Sequence, residues 1–302
     1  MRRKLIQHGL SSLTVSLPRD WVKENNLKKG EEIELEESNN KLIVSTQKHY
    51  EHKKIEIDVS NAQPMIRKII GATFKSGYDE IKIRFNTFEE LKAVQDLIRE
   101  QFLGFEIINQ TKDNIIIKNV TQTSFEEFNN VLRRFFFVLN NMASEVYNAV
   151  AKDDFKWLKN ITLMKTESDK YADYCRRGIN MEFETEFKKL APLYTIVEQL
   201  EKVVDRYKDL CDYISTNKIK VNDKIKSFLR EILGFQEFYY HLFYKFELNK
   251  IIDLGRNKEI LQKKLDQMIT QCSKKEIKIV SLLNRILNLI FDLNGPLMVT
   301  YI

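Results

Sequence analysis

Alternating apolar and polar side chains in residues 1–48 predict short strands. Leu13, Val15 and Leu17 are separated by threonine and serine, which is the two-residue period of a strand with one buried face. A turn at residues 38–40 separates two further strand-like runs. Such a small β domain buries too little apolar surface to be stable alone, so we expect it to dimerise.

Residues 53–121 alternate between strand-like and helix-like patterns. The predicted strands span 54–59, 80–85, 105–108 and 114–118, and the predicted helices span 63–76 and 87–102. This β-α-β-α-β-β order predicts a small α/β layer domain.

From residue 124 onward the apolar positions recur with a helical period. Ser124 and Glu127 form a capping box at the start of this region. The predicted helices span 124–150, 153–178, 184–216, 221–253, 256–272 and 274–294. The chain is thus predicted to be a multidomain, mainly α protein, in which the β domain and the α/β layer precede two three-helix bundles, residues 124–216 and 217–302.

Composition agrees with a helical, cytoplasmic protein. Only 9 glycines and 4 prolines occur among 302 residues, and the three cysteines lie far apart. That cysteine pattern argues against a disulfide scaffold or a zinc finger. We find no secretory leader, and the late apolar window 279–299 contains charged residues, so we expect no transmembrane segment. No nucleotide-binding loop or nucleophile elbow is present, so we expect no enzymatic activity and no catalytic residue.

The net charge of +6 is unevenly distributed along the chain. Residues 1–30 carry a net charge of +5 and residues 217–302 carry +6, whereas residues 123–216 carry −2. Such asymmetry indicates surfaces that meet charged partners.

Two acidic pairs lie beside the apolar faces of the second and third predicted helices. In the third helix the apolar residues keep 3-4 spacing, and Glu201 and Asp205 fall one turn apart at the edge of that face. Asp169 and Asp173 hold the same position in the second helix. If the two helices are antiparallel neighbours, four carboxylates converge.

Carboxylates at this spacing repel one another, so the pairs are unfavourable without a cation. Their oxygens suit hard metal ions, which makes these four residues a candidate metal site. The alternative is a solvated face, since 30% of all residues are charged.

The motifs Asp169-x-x-x-Asp173 and Glu201-x-x-x-Asp205, in this order on successive helices, resemble those of the PhoU family. The resemblance covers the helical half of the chain and implies two PhoU-like three-helix bundles. It also implies a multinuclear metal site, of iron, zinc or similar ions, held by these carboxylates. The second bundle lacks a matching pair, because threonine stands four residues after Asp266. We therefore expect metal only in the first bundle.

The N-terminal residues resemble a second family, the SpoVT/AbrB-type DNA-binding domain. The matching segments are Gly9-x-Ser11, Thr14-Val15-Ser16-Leu17-Pro18-Arg19-x-Trp21 and Leu27-Lys28-x-Gly30-Glu31. The resemblance implies a swapped-hairpin homodimer whose basic residues contact double-stranded DNA. A PhoU-like half behind such a domain is similar to archaeal phosphate-uptake regulators.

Four basic residues are the candidates for contact with DNA. Arg2, Arg3 and Lys4 precede the first strand, and Arg19 follows a turn from which it can project beside them. Neutralisation of phosphates by such groups gives salt-dependent DNA binding. The alternative for the first three is a solvated terminus.

Together these features favour a DNA-binding transcriptional regulator of phosphate uptake with a metal-binding sensor half. The alternative is an adaptor that regulates a phosphate transporter or a sensor kinase by protein contact, for which the basic residues 217–302 supply a surface. A metal-dependent hydrolase has little support, since no histidine ligand or nucleophile accompanies the acids.

Overall fold

The fold is described from a computed structural model of the chain. The described residues are 2–9, 12–38, 41–45, 53–121, 125–181 and 189–302. Internal contacts divide the chain into two compact units, Met1–His52 and Lys53–Ile302. The α/β layer and the helices therefore belong to one unit, although the sequence predicts them as separate domains.

The N-terminal unit contains two antiparallel hairpins and one short helix. The strands β1 (Ile6–His8) and β2 (Ser12–Thr14) pair with each other, as do β3 (Glu34–Ser38) and β4 (Lys41–Ser45), and α1 (Arg19–Glu24) lies between the hairpins. None of its described side chains is buried. Instead six large apolar side chains are between 45% and 67% exposed: Leu5, Ile6, Leu13, Val15, Leu35 and Leu42. The described part of a single copy of this unit thus has no apolar core of its own.

The second unit begins with a four-stranded sheet, and the predicted order of its elements is confirmed. They are β5 (Lys54–Asp58), α2 (Ile66–Lys75), β6 (Glu80–Arg84), α3 (Phe88–Gln101), β7 (Phe105–Gln110) and β8 (Asn114–Asn119). The strand order is β5-β6-β8-β7, with β5 and β6 parallel and the other pairs antiparallel. Cross-strand pairs Ile81–Ile117 and Ile83–Ile115 form the buried face of this sheet.

A capping box fixes the start of α3. Thr87 accepts a hydrogen bond from the backbone N–H of Glu90, and the Glu90 carboxylate accepts from the N–H groups of Asn61, Asn86 and Thr87. Because these N–H groups hold the charged form, the pKa of Glu90 is lowered from its usual value, with the Asn86 bond as the largest cause.

Eight helices form the rest of the described second unit: α4 (Phe125–Ala151), α5 (Phe155–Ile161), α6 (Met164–Asn180), α7 (Leu190–Asn217), α8 (Asp223–Tyr244), α9 (Leu248–Ile269), α10 (Lys274–Asp292) and α11 (Asn294–Tyr301). Their buried side chains form one continuous apolar core. A buried polar chain crosses it, in which Tyr207 donates to Gln236 at 3.0 Å and Gln236 donates to Asn140 at 2.8 Å. The two predicted sets of three helices therefore share one core.

Two predicted helices differ from those observed. The helix predicted over 153–178 is broken between α5 and α6, where Thr162 donates its hydroxyl to the Lys159 carbonyl. The helix predicted over 221–253 ends at Tyr244, and Gly255, which lies between two predicted helices, is inside α9. A glycine costs a helix interior only about 1 kcal/mol, so packing of the flanking helix can outweigh it.

Candidate functional site

The four predicted carboxylates lie together along the contact between α6 and α7. Asp169 and Asp173 are on α6, and Glu201 and Asp205 are on α7. We call these four residues the acidic seam. The helices are antiparallel, because an ion pair joins Lys165 at the start of α6 to Asp205, deep in α7, while Arg176 near the end of α6 reaches back toward the start of α7.

Lys165 lies between the two carboxylates at one end of the acidic seam. Its Nζ is 2.6 Å from Oδ1 and 2.9 Å from Oδ2 of Asp169, and 2.9 Å from Oδ1 of Asp205. Burial works against the charge on this lysine, but the two carboxylates outweigh it, and the pKa of Lys165 is raised.

Arg176 closes the other end of the acidic seam. Its Nη1 donates to Oδ1 of Asp173 at 2.6 Å, its Nη2 donates to Glu201, and its Nε lies 2.6 Å from Oε1 of Glu198. Asp173 also pairs with Lys75 of α2 at 3.4 Å. Burial opposes the charge on Arg176, but the three carboxylates raise its pKa.

The carboxylates of the two helices are close enough to affect one another. Burial is the largest cause of the raised pKa of Asp169, which Lys165 opposes and Glu201 and Asp205 reinforce. Burial likewise raises the pKa of Asp173, while Lys75 and Arg176 oppose it. The convergence expected from the sequence is therefore present.

The donor set suits a hard metal ion, but its arrangement does not fit one. Each of the four carboxylates already contacts Lys165 or Arg176. Within the ranges that the structure describes, no group of three or more histidine, cysteine, aspartate or glutamate side chains is disposed to hold a metal ion. Metal binding at the acidic seam stays a prediction.

The residue after Arg176 connects α6 to the α/β layer, a contact that the sequence analysis missed. Arg177 Nη1 donates to the carbonyls of Phe74 and Tyr78, each at 2.8 Å, and Nη2 donates to Oδ1 of Asp79 at 2.7 Å. Both members of the Arg177–Asp79 pair are 1% exposed. The guanidinium also lies over the rings of Phe74 and Phe105. The helical pattern gave no hint of this burial, because Arg177 is flanked at i−4 and i+3 by the polar residues Asp173 and Asn180.

All four candidate DNA-binding residues are exposed on the N-terminal unit. Arg2, Arg3 and Lys4 precede β1, and Arg19 is the first residue of α1. Among the helices of the described ranges, none combines the length and apolar character that crossing a membrane requires.

Comparison with known proteins identifies the type of the N-terminal unit. The family described as "Antidote-toxin recognition MazE, bacterial antitoxin" matches residues 10–51. No curated protein matches the sequence. Among solved structures, the chain is similar to a PhoU-like phosphate regulatory protein from Shewanella oneidensis MR-1 (12% identity, TM-score 0.42) and to a PhoU-like protein from the same organism (10% identity, TM-score 0.40). Each similarity covers 57% of this chain and 97% of the other. The chain therefore carries an N-terminal domain of the MazE/AbrB antitoxin type.

Proposed function

We propose that this protein is a DNA-binding transcriptional regulator of phosphate uptake, in which the N-terminal unit binds double-stranded DNA as a homodimer. The observation that carries the proposal is the N-terminal unit itself. It is of the MazE/AbrB type, none of its described side chains is buried, and its four candidate cations are exposed.

The exposed apolar side chains support the homodimer. Leu13 and Val15 are 65% and 45% exposed, and Leu35 is 60% exposed. Burial of apolar area contributes roughly 25 cal/mol per Å², so hairpins that leave such side chains in water gain stability by pairing with another copy. A second copy also doubles the number of basic residues on one DNA-binding unit.

The charges of the N-terminal unit support DNA as its partner. Arg2, Arg3, Lys4 and Arg19 are all exposed on the N-terminal unit. Exposed cations can neutralise backbone phosphates and release counterions, which drives binding to duplex DNA of any sequence.

Equilibrium binding of the full chain to duplex DNA, followed by fluorescence anisotropy, tests the proposal. Wild-type protein should bind, and the R2A/R3A/R19A variant should bind at least tenfold more weakly, since several phosphate contacts are lost. A charge-matched control, K112A/K220A/K263A, removes three exposed cations of the second unit and should bind like wild type. Equal binding by both variants would contradict the proposal.

The basic charge of residues 217–302 favours a second function, that of an adaptor for a phosphate transporter or a sensor kinase. A basic surface can attract an acidic protein partner. Capture of a transporter subunit by the full-length R2A/R3A/R19A variant, as efficient as capture by wild type, would favour this function over direct control of DNA.

A further inference from the structure

We infer that Lys165 and Arg176 take the place of a metal ion in the acidic seam, so that this chain closes the seam with its own cations. The inference is independent of DNA binding. It follows from the positions of the two cations, the exposure of each, and the carboxylates that they hold.

Lys165 occupies the space that a metal ion would need. Its Nζ lies 2.6 Å and 2.9 Å from the nearest oxygens of Asp169 and Asp205. A metal ion that bridged the same two carboxylates would bond to their oxygens at about 2.0–2.6 Å. The ammonium group and the metal ion therefore exclude each other at this end of the acidic seam.

Arg176 is the permanent cation of the pair. Its side chain is 3% exposed and contacts Asp173, Glu198 and Glu201. A guanidinium is always charged and matches carboxylates with a rigid fork of donors, so it stays paired with this end of the seam at every physiological pH.

Lys165 is the cation that an external ion could replace. Its side chain is 25% exposed, and lysine is a flexible point charge rather than a rigid fork. If a neutral side chain replaces Lys165, the carboxylates of Asp169 and Asp205 face each other with Glu201 nearby, and their repulsion favours a divalent cation. Carboxylate oxygens suit Mn²⁺, which makes that ion a usable probe.

The experiment measures Mn²⁺ binding by the full chain and by two neutral variants, Lys165→Gln and Lys165→Met. Loss of the electron paramagnetic resonance signal of free Mn²⁺ reports binding, and the thermal unfolding midpoint reports its effect on stability. Lys202→Met is the matched control, because Lys202 is 53% exposed and approaches the same Asp205 from outside at 4.0 Å.

The inference predicts that wild type and Lys202→Met leave the Mn²⁺ signal unchanged and unfold at the same temperature with or without a chelator. At least one Lys165 variant should remove free Mn²⁺ from solution and unfold at a higher temperature when the ion is present. Further substitution of Asp169 and Asp205 by Asn should abolish both effects.

Two results would overturn the inference. One is a wild-type protein that holds metal after purification and loses thermal stability on chelation. The other is a pair of folded Lys165 variants, judged by their circular dichroism, neither of which binds Mn²⁺. Lys165→Gln keeps a hydrogen-bonding side chain only one atom shorter than lysine, and Lys165→Met keeps most of its apolar stem, so at least one folded variant should be obtained.

Discussion

Replacing Arg177 with methionine should loosen the α/β layer from the helices. The substitution keeps most of the side-chain volume but removes the ion pair with Asp79 and the hydrogen bonds to the carbonyls of Phe74 and Tyr78. Removal of one partner from a buried ion pair typically costs about 3–5 kcal/mol, because the other charge stays buried. Since a whole domain is stable by about 5–15 kcal/mol, the loss should be large.

Urea unfolding measures this loss as a change in the free energy of unfolding. The matched control is Arg99→Met, because Arg99 pairs with Asp96 in the same unit but is 76% exposed. Exposed pairs contribute only about 0–1 kcal/mol, so the control should lose little. Hydrogen exchange should also quicken in α2, because Arg177 binds the carbonyl of Phe74 near the C-terminal end of that helix.

A double-mutant cycle separates the ion pair from packing. Arg177→Met combined with Asp79→Asn should be less destabilised than the sum of the two single variants, since the double variant leaves neither charge of this pair buried without its partner. The reasoning is refuted if Arg177→Met loses no more stability than Arg99→Met, or if the two single effects simply add.

Three further changes test other contacts. Glu90→Gln should lower the free energy of unfolding at neutral pH, whereas Glu89→Gln, next to it and exposed, should not. The pKa of Glu90 is lowered in the folded state, so its contribution to the free energy of unfolding is present above the usual pKa of 4.5 and is lost as pH falls through the folded value. The free energies of unfolding of wild type and Glu90→Gln should therefore become equal in acid. Gly77→Ala should destabilise the second unit, since Gly77 has φ +89° and an added Cβ would lie 2.6 Å from Met181 Cγ. In thermal unfolding, the double variant with Met181→Ala should recover only the stability lost to this clash, because the backbone strain at φ +89° stays. Tyr207→Phe should lose about 1–3 kcal/mol in urea unfolding, because Gln236 loses its buried donor.

The parts of the fold that follow from the periodic spacing of apolar residues could be predicted from the sequence. Alternation placed Ile81 and Ile83 on one sheet face, and 3-4 spacing placed the carboxylates of the acidic seam beside a buried helix face. Both depend on geometry that repeats along one element, so no tertiary information was needed.

The cations of the acidic seam were not predictable in the same way. Lysine and arginine are long, and the position of the Cα atom does not fix which carboxylate the charged end reaches. Arg176 and Arg177 are adjacent in sequence, yet one closes the seam and the other binds the α/β layer. The packing of α6 against α7 and against the α/β layer decides which of the two arginines takes which role.

The end of α8 also depends on tertiary contacts. Phe246 lies in the link between α8 and α9, and its ring stacks on that of Tyr301 at 4.9 Å between centroids. No glycine or proline stands in this link, so the local sequence carries no stop signal. The stacking partner is near the end of the chain, beyond the reach of any local pattern.

The salt dependence of DNA binding by the full chain tests the central proposal most directly. A plot of log K against log salt concentration should fall linearly for wild type, by about 0.9 per phosphate contacted. The R2A/R3A/R19A variant should show a shallower slope as well as weaker binding, and K112A/K220A/K263A should keep the wild-type slope. A slope near zero for wild type, or the same slope in wild type and R2A/R3A/R19A, would contradict the proposal that these residues bind DNA phosphates.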